Sequence, residues 1–362
     1  MKNYLFLKRI ILAILLLAVT LWAEKPIIEE SRGVYWTIPE RTLPLPHCAS
    51  KEFVRNLKSV PPPDIDTRRS FEPPKSKDEW LDIIAYSKAR GAKGVYRFAS
   101  DHNVTISTDK VGDITVYTLM PKGFKKESKK HLFIYLHGGG YIFGGGLSGL
   151  SEAILIAQRV QIPVLSIDYR MPPSHPYPAD INDVVRVYKT IIQSHLPDKV
   201  AMGGSSSGGG LTMAVVQKLK SLNLPLPAAL YLGTPWADLS KSGDSLYINE
   251  GIDRKLGTYD GFLASAAKLY AGRHGLKEAG LSPVYGDVSG FPPTMLVSGT
   301  RDLFLSMAVR VHRKLKKEGV VADLNIYEGL SHVEYFVFPD TPESLEVYGD
   351  LKSFLKKHLR KF

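Results

Sequence analysis

The segment VAMGGSSSGGGL, residues 200–211, decides how the rest of the chain is interpreted. It places three consecutive serines between glycines, directly after a short apolar run. A flexible linker and a strand-to-helix turn that holds a nucleophile both have this composition. In the second case, backbone crowding requires glycine two residues before and two residues after the serine. Only Ser206, which has Gly204 and Gly208 at those positions, meets both conditions.

The glycine spacing alone is weak support for a nucleophile. A chain with 31 glycines contains such a pattern by chance roughly 0.2 times. A Gly/Ser-rich turn that caps the following helix therefore stays open as an alternative. The surrounding strands and the other candidate catalytic groups have to decide between the two interpretations.

Short apolar runs alternate with longer amphipathic segments from residue 132 onward. This rhythm predicts an α/β fold with a mostly parallel sheet and helices on both faces. An antiparallel hairpin precedes it at Val104–Thr108 and Ile114–Leu119. The predicted strands are Leu132–Leu136, Val164–Ile167, Val200–Met202, Ala229–Leu232, Thr294–Val297 and Leu324–Tyr327, and the predicted helices lie near 149–160, 180–194, 208–220, 304–318 and 343–358.

Two segments differ from this alternating pattern. Residues 25–74 are rich in proline, and a capping box at Ser76–Glu79 then begins a helix whose apolar stripe includes Trp80 and Ile83. More than fifty residues separate the fourth and fifth predicted strands, where a lid is commonly inserted. The predicted organisation is an N-terminal segment at 24–100 and a main domain at 101–362, with an insertion at 237–290.

The first 23 residues predict export from the cytoplasm. Three cations, Lys2, Lys8 and Arg9, precede an uncharged apolar run that ends at Ala23. The run is shorter than the roughly 20 residues that span a bilayer core, which favours a cleaved signal peptide over a retained anchor. The location is therefore periplasmic or secreted, with anchoring to the inner membrane by an uncleaved leader as the alternative. Membrane association through the leader stays open.

Charge and cysteine content exclude some classes of protein. The formal charge is +11, but its clusters, such as Lys122–Lys130, come without any finger, RNP or helix-turn-helix pattern. We therefore expect no nucleic-acid partner. With a single cysteine the chain has no intrachain disulfide, and Cys48 is interpreted as a buried small apolar residue.

A run of three glycines follows the first predicted parallel strand, in the sequence His137-Gly-Gly-Gly140. Glycines let the backbone approach a substrate and direct N–H groups toward an oxyanion. A phosphate cradle would need Gly-Lys-Ser/Thr or G-x-G-x-x-G, and Tyr141-Ile-Phe continues neither pattern. The run therefore predicts an oxyanion hole.

A serine nucleophile needs a base, and the base needs an orienting acid. Of the ten histidines, His332 follows a predicted strand at the same edge of the sheet as Ser206. Asp302 follows the preceding strand, although it could instead cap the next helix. The order Ser206, Asp302, His332 is that of an α/β-hydrolase.

Several motifs in this order resemble the hormone-sensitive-lipase-like branch of the α/β-hydrolases, the bacterial family IV esterases. The matching motifs are HGGGYIFGG at 137–145, DYRMPPSHPYPAD at 168–180, GSSSGGGL at 204–211, GTPWADLS at 233–240, SGTRDL at 298–303 and GLSH at 329–332. The family usually has GDSAG or GTSAG where this chain has GSSSG, so the contacts of Ser205 are expected to differ.

The resemblance implies a serine carboxylesterase that acts on a small-molecule ester of short or medium acyl chain, with no metal or organic cofactor. Its oxyanion donors would be the N–H groups of Gly139, Gly140 and Ser207. The resemblance also implies that 101–362 is the catalytic domain, and that the N-terminal segment 24–100 and the insertion 237–290 form a mainly helical cap that shapes the acyl pocket. A deacetylase or lactonase with the same triad, and a catalytically silent ligand-binding homologue, are the alternatives. The sequence leaves a homodimer open.

Overall fold

The computed structural model describes residues 42–124 and 130–362, together with the backbone of two short strands. The chain forms two compact units, Met1–Pro44 and Leu45–Phe362. In the smaller unit, β1 (Ile27–Glu30) pairs antiparallel with β2 (Gly33–Trp36). The predicted leader lies outside the described residues. Within the described part of the chain, no helix has the length and apolar character needed to cross a bilayer.

The larger unit is built on one eight-stranded sheet with the order β10-β9-β8-β7-β5-β6-β4-β3. Six neighbouring strands, from β10 to β6, run parallel, and β4 and β3 add an antiparallel edge. The bounds are β3 Val104–Val111, β4 Ile114–Pro121, β5 Leu132–Tyr135, β6 Val164–Ile167, β7 Val200–Ser205, β8 Ala229–Gly233, β9 Thr294–Gly299 and β10 Ala322–Tyr327. The predicted hairpin and all six predicted parallel strands are confirmed.

The strand β7 is longer than its apolar run predicts. Pairing with β8 continues through Gly204 opposite Leu232 to Ser205 opposite Gly233, so the strand extends to the residue before Ser206. Because parallel strands have their carboxyl ends at the same edge, the segments that follow β5, β7, β9 and β10 meet there.

Helices cover both faces of the sheet, as predicted. Alternate residues of β5 show the two faces: Ile134 joins one buried cluster and Phe133 the other. The helices of the larger unit are α1 Lys51–Ser59, α2 Ile65–Arg69, α3 Lys77–Ala92, α4 Val95–Asp101, α5 Ser151–Ile156, α6 Ala179–Ile191, α7 Ser207–Ser221, α8 Ser245–Ile248, α9 Phe262–Ala271, α10 Leu305–Lys317, α11 Glu334–Val337 and α12 Pro342–His358.

Two expectations about the N-terminal part of the larger unit are wrong. Ile83 on α3 is 40 % exposed, because among the apolar residues of that helix only Trp80 reaches the core. Cys48 is exposed and not buried, since it lies in the irregular segment before α1. Half of the predicted capping box forms: Ser76 Oγ accepts from Glu79 N, but the Glu79 carboxylate accepts from Lys75 N instead of Ser76 N.

Candidate active site

Ser206 stands at the sharp turn between β7 and α7. Its backbone angles, φ 60° and ψ −125°, lie in a region that non-glycine residues rarely adopt. Hydrogen bonds hold this conformation on both sides: Ser206 N donates to Gly233 O at 2.8 Å, and Trp236 N donates to Ser206 O at 2.9 Å. The turn is therefore fixed by the chain that follows β8.

Close packing explains why glycine occupies both flanking positions of the turn. A Cβ on either Gly204 or Gly208 would overlap the carbonyl oxygen of Leu136, at the end of β5. The crowding that requires glycine at both positions is therefore present, and it comes from Leu136, the residue after β5. The linker interpretation is wrong, since the segment is the end of a central strand and the first turn of a helix.

His332 and Asp302 are hydrogen-bonded to each other. The distance from His332 Nδ1 to Asp302 Oδ1 is 3.1 Å, and both side chains are buried. The Asp302 carboxylate also accepts from Ser298 Oγ at 2.6 Å and from Phe304 N at 2.9 Å. These donors orient the carboxylate, and its contact with Nδ1 leaves Nε2 as the ring nitrogen available to another partner.

Ser206 and His332 both line one cavity of about 710 Å³. Within the described residues their side chains make no hydrogen bond to each other, so this contact of the predicted triad is not formed. Contacts of this kind are often long in unliganded hydrolases and shorten when substrate binds. The structure thus brings all three residues to one edge of the sheet, but the hydrogen bond between Ser206 and His332 is not formed.

The glycine run after β5 forms another wall of this cavity. Gly139 and Gly140 have φ values of 123° and 66°, and their N–H groups donate to no acceptor in residues 42–124 and 130–362. Neighbouring His137 is buried and stacks on Tyr169, and its burial lowers its pKa, so it remains neutral. Free donors on a fixed loop are what an oxyanion hole requires. Ser207, the third predicted donor, is the first residue of α7.

Asp253, in the cap insertion, is a site residue that the sequence did not reveal. Its Oδ2 accepts from Leu303 N at 2.7 Å and from His332 N at 3.3 Å. Burial, followed by the charge of Asp302, raises the pKa of Asp253 to about 6. Asp253 therefore links segment 237–290 to the loops that carry Asp302 and His332, and no local pattern around Asp253 distinguishes it from an ordinary loop aspartate.

Both predicted cap segments contribute to the cavity. Arg68 Nη1 donates to Lys255 O at 2.8 Å, and Phe71 packs edge-on against Phe262 with ring centroids 5.6 Å apart. Apolar side chains supply much of the remaining wall: Phe143, Leu256, Leu263, Val333 and Phe336. The cavity can therefore take an apolar group beside the serine.

Glu152, from α5, also lines the cavity and was missed by sequence reasoning. It is buried and accepts hydrogen bonds from the hydroxyls of Ser205, Tyr135 and Tyr231. The available signal was a single acidic residue in the stretch Leu150–Ala157, where Ser151 is the only other polar residue. In the described part of the chain, no three His, Cys, Asp or Glu side chains are grouped as a metal site.

Comparison with known proteins agrees with this geometry. Residues 133–336 match the family described as alpha/beta hydrolase fold. The chain belongs to the α/β hydrolases. A crystal structure of the esterase E25 is 44 % identical, with a TM-score of 0.87 over 90 % of this chain and 99 % of that one. An esterase from the bacterial hormone-sensitive lipase family is 28 % identical, with a TM-score of 0.71 over 86 % and 99 %.

A sequence relative supports the same activity. An acetyl-hydrolase from Streptomyces hygroscopicus is 29 % identical over 74 % of this chain and 87 % of its own length. Together with the esterase structures, this places the α/β hydrolase in the hormone-sensitive-lipase-like branch. It is a carboxylic ester hydrolase that acts on small-molecule esters, and the resemblance predicted from its motifs is confirmed.

Proposed function

We propose that the chain is a serine carboxylesterase in which Ser206 is the nucleophile, His332 the general base and Asp302 the orienting acid. The observation that carries this proposal is the buried His332–Asp302 hydrogen bond at 3.1 Å, next to the cavity that Ser206 also lines. A neutral imidazole that donates from Nδ1 has an unprotonated Nε2, and this atom can accept the proton of a serine.

The reaction follows from these positions. Ser206 Oγ attacks the ester carbonyl and gives its proton to His332 Nε2, while the N–H groups of Gly139, Gly140 and Ser207 stabilise the oxyanion. His332 then protonates the leaving alcohol, which produces an acyl-enzyme. A water molecule repeats the sequence, releases the carboxylic acid and restores the Ser206 hydroxyl.

The cavity supports a preference for short to medium acyl chains. Its volume of about 710 Å³ lies within the range of ordinary small-molecule sites, and its walls combine aromatic rings with a polar rim at Arg68 and Lys255. A relative named acetyl-hydrolase favours the short end of this range. A series of p-nitrophenyl esters from acetyl to palmitoyl measures the preference directly, and a sharp acetyl optimum would favour a deacetylase.

The substitution Ser206→Ala tests the triad. It is expected to lower kcat on p-nitrophenyl esters by about 10⁴-fold or more, because the covalent step is lost. Ser205→Ala and Ser207→Ala are the matched controls, since they change the neighbouring hydroxyls in the same turn and should keep activity far above that of Ser206→Ala. Full activity of Ser206→Ala would overturn the assignment.

We further propose that the protein is exported and that its leader is removed near Ala23. The support is the charge pattern and length of residues 1–23. Intact-mass measurement of protein recovered from the periplasm or medium would show the loss of the leader. Recovery of the full chain in the membrane fraction would instead support an anchor, and sedimentation analysis of the same sample would detect a homodimer.

A further inference from the structure

A buried polar cluster lies next to the nucleophile turn and has no part in the mechanism above. We call it the Glu152 cluster, and its members are Glu152, Ser205, Tyr135, Tyr231 and Tyr335. The Glu152 carboxylate accepts from Ser205 Oγ at 2.6 Å, from Tyr135 OH at 3.0 Å and from Tyr231 OH at 3.1 Å. Every member is at most 2 % exposed. A carboxylate with three hydroxyl donors is the arrangement that an ionised group requires.

The cluster is connected directly to the nucleophile. Ser205 is the last residue of β7 and precedes Ser206, and its Oγ lies 2.6 Å from both Glu152 Oε1 and Tyr335 OH. The neighbouring strand leaves room for these contacts, because a Cβ on Gly233 would overlap both the Ser205 and the Tyr335 oxygens. The residue before the nucleophile is therefore held from two sides by atoms outside its own strand.

Burial and hydrogen bonding act on Glu152 in opposite directions. Burial is the larger effect and raises the pKa of Glu152, while the donors Ser205, Tyr135 and Tyr231, and then the charge of His332, lower it. The resulting pKa is about 7. The other titratable groups that face it are Tyr335 and Tyr348, whose pKa values burial raises well above 10. The tyrosines stay neutral around neutral pH, whereas Asp253 and Glu334, which accept from His332 N and Ser331 N, have pKa values that burial raises to about 6 and about 7.

We propose that Glu152 is a positioning residue for ester hydrolysis: through Ser205 it fixes the turn that presents Ser206, and its negative charge favours the imidazolium that His332 forms. This inference rests on the proposed triad. During the step the proton passes from Ser206 Oγ to His332 Nε2, and Glu152 neither gains nor loses one. A positive charge that appears on His332 is stabilised by a buried carboxylate nearby, since screening by water is weak there.

The substitution Glu152→Gln keeps the shape of the side chain and removes the charge. At pH 8.5, where the wild-type carboxyl is ionised, kcat on p-nitrophenyl butyrate is expected to fall about tenfold with little change in KM. At pH 6 the Glu152 carboxyl of the wild type is protonated, so the wild-type kcat should exceed that of the variant by only about twofold. A purely structural contact would not produce a ratio that changes around pH 7.

Asp180→Asn is the matched control. Asp180 is another buried carboxyl, it accepts from Tyr270 OH at 2.6 Å, and burial raises its pKa to about 6. It does not line the cavity. The ratio of the wild-type kcat to the Asp180→Asn kcat should therefore be constant above pH 7.

A second variant keeps the proposal testable if Glu152→Gln does not fold. Ser205→Ala removes the closest donor to Glu152, so the carboxyl pKa should rise and the acid limb of the kcat profile should move to higher pH. An Ser205→Ala profile identical to wild type, or a Glu152→Gln ratio that is the same at pH 6 and pH 8.5, would overturn the proposal. If Ser206→Ala were active, the triad itself would fail; if it is inactive and the ratio is constant, only the role of Glu152 fails.

Discussion

Two buried carboxyl groups near Ser206 and His332 have different surroundings. Asp302 meets an imidazole, a hydroxyl and a backbone N–H, whereas Glu152 meets only hydroxyls. The first can orient a base and balance its charge at contact distance. The second can hold the nucleophile turn, and its charge acts on His332 only through space. Carboxylates of similar burial therefore differ in chemistry according to whether one of their partners is an imidazole, which can take up a proton at its other nitrogen.

The largest effect should come from changing the first carboxylate. Asp302→Asn is expected to lower kcat by about 10³- to 10⁴-fold, because an amide beside Nδ1 favours the imidazole tautomer in which Nε2 carries the proton. Steady-state hydrolysis of p-nitrophenyl butyrate measures the loss, and circular dichroism checks the fold. Activity within tenfold of wild type would remove the distinction between the two carboxylates.

A moderate effect should appear in the pH dependence of stability. The pKa of Glu152 is raised from 4.5 to about 7, so between these values the folded protein holds a proton that the unfolded chain has released. The contribution of Glu152 to the free energy of unfolding therefore falls as pH rises, by about 1.4 kcal/mol per pH unit, and it is fully present only below pH 4.5. In urea denaturation, the free energy of unfolding of Glu152→Gln should rise by about 3 kcal/mol relative to that of the wild type between pH 4.5 and 7.5.

Asp180→Asn provides the contrast for this measurement. The increase in its free energy of unfolding relative to wild type should be complete by about pH 6, because burial raises the pKa of Asp180 to about 6. A difference between Glu152→Gln and wild type that stays the same from pH 5 to pH 8 would show that Glu152 does not titrate in this range. The predicted difference between the Glu152→Gln effects on kcat at pH 6 and pH 8.5 would then have no basis.

The smallest effect on catalysis is expected at Ser207. Its Oγ is buried and has no hydrogen-bond partner in the described structure, unlike the Oγ of Ser205. Because only the backbone N–H of Ser207 is proposed to act, Ser207→Ala should keep kcat within about threefold and raise the free energy of unfolding by about 1 kcal/mol. Thermal and urea unfolding measure the gain. A strong loss of activity would show that the hydroxyl contributes.

Much of the fold and of the candidate site could be predicted from local sequence. Apolar runs identified every parallel strand. Glycine spacing distinguished Ser206 from its two neighbours, because a Cβ at Gly204 or Gly208 would overlap the carbonyl oxygen of Leu136. Asp302 and His332 followed from their places after strands. These features depend on the chain near each residue, so the sequence carries them directly.

Contacts between distant segments could not be predicted in the same way. Asp253 reaches the loops of Asp302 and His332 from the cap insertion, and Glu152 reaches Ser205 from α5, 53 residues away. Nothing near either residue indicates its partners, since the pairing arises only when the sheet and the cap assemble. The exposure of Cys48 and Ile83 has the same origin, because neither is covered by another segment.

Covalent labelling of the nucleophile tests the central claim most directly. The protein is treated with diethyl p-nitrophenyl phosphate, digested, and the modified residue is located by tandem mass spectrometry. The account predicts one diethylphosphoryl group per chain, attached to Ser206 and absent from Ser206→Ala. Stoichiometric labelling of Ser205 or Ser207 instead, or full esterase activity in a chain that the reagent leaves unmodified, would contradict it.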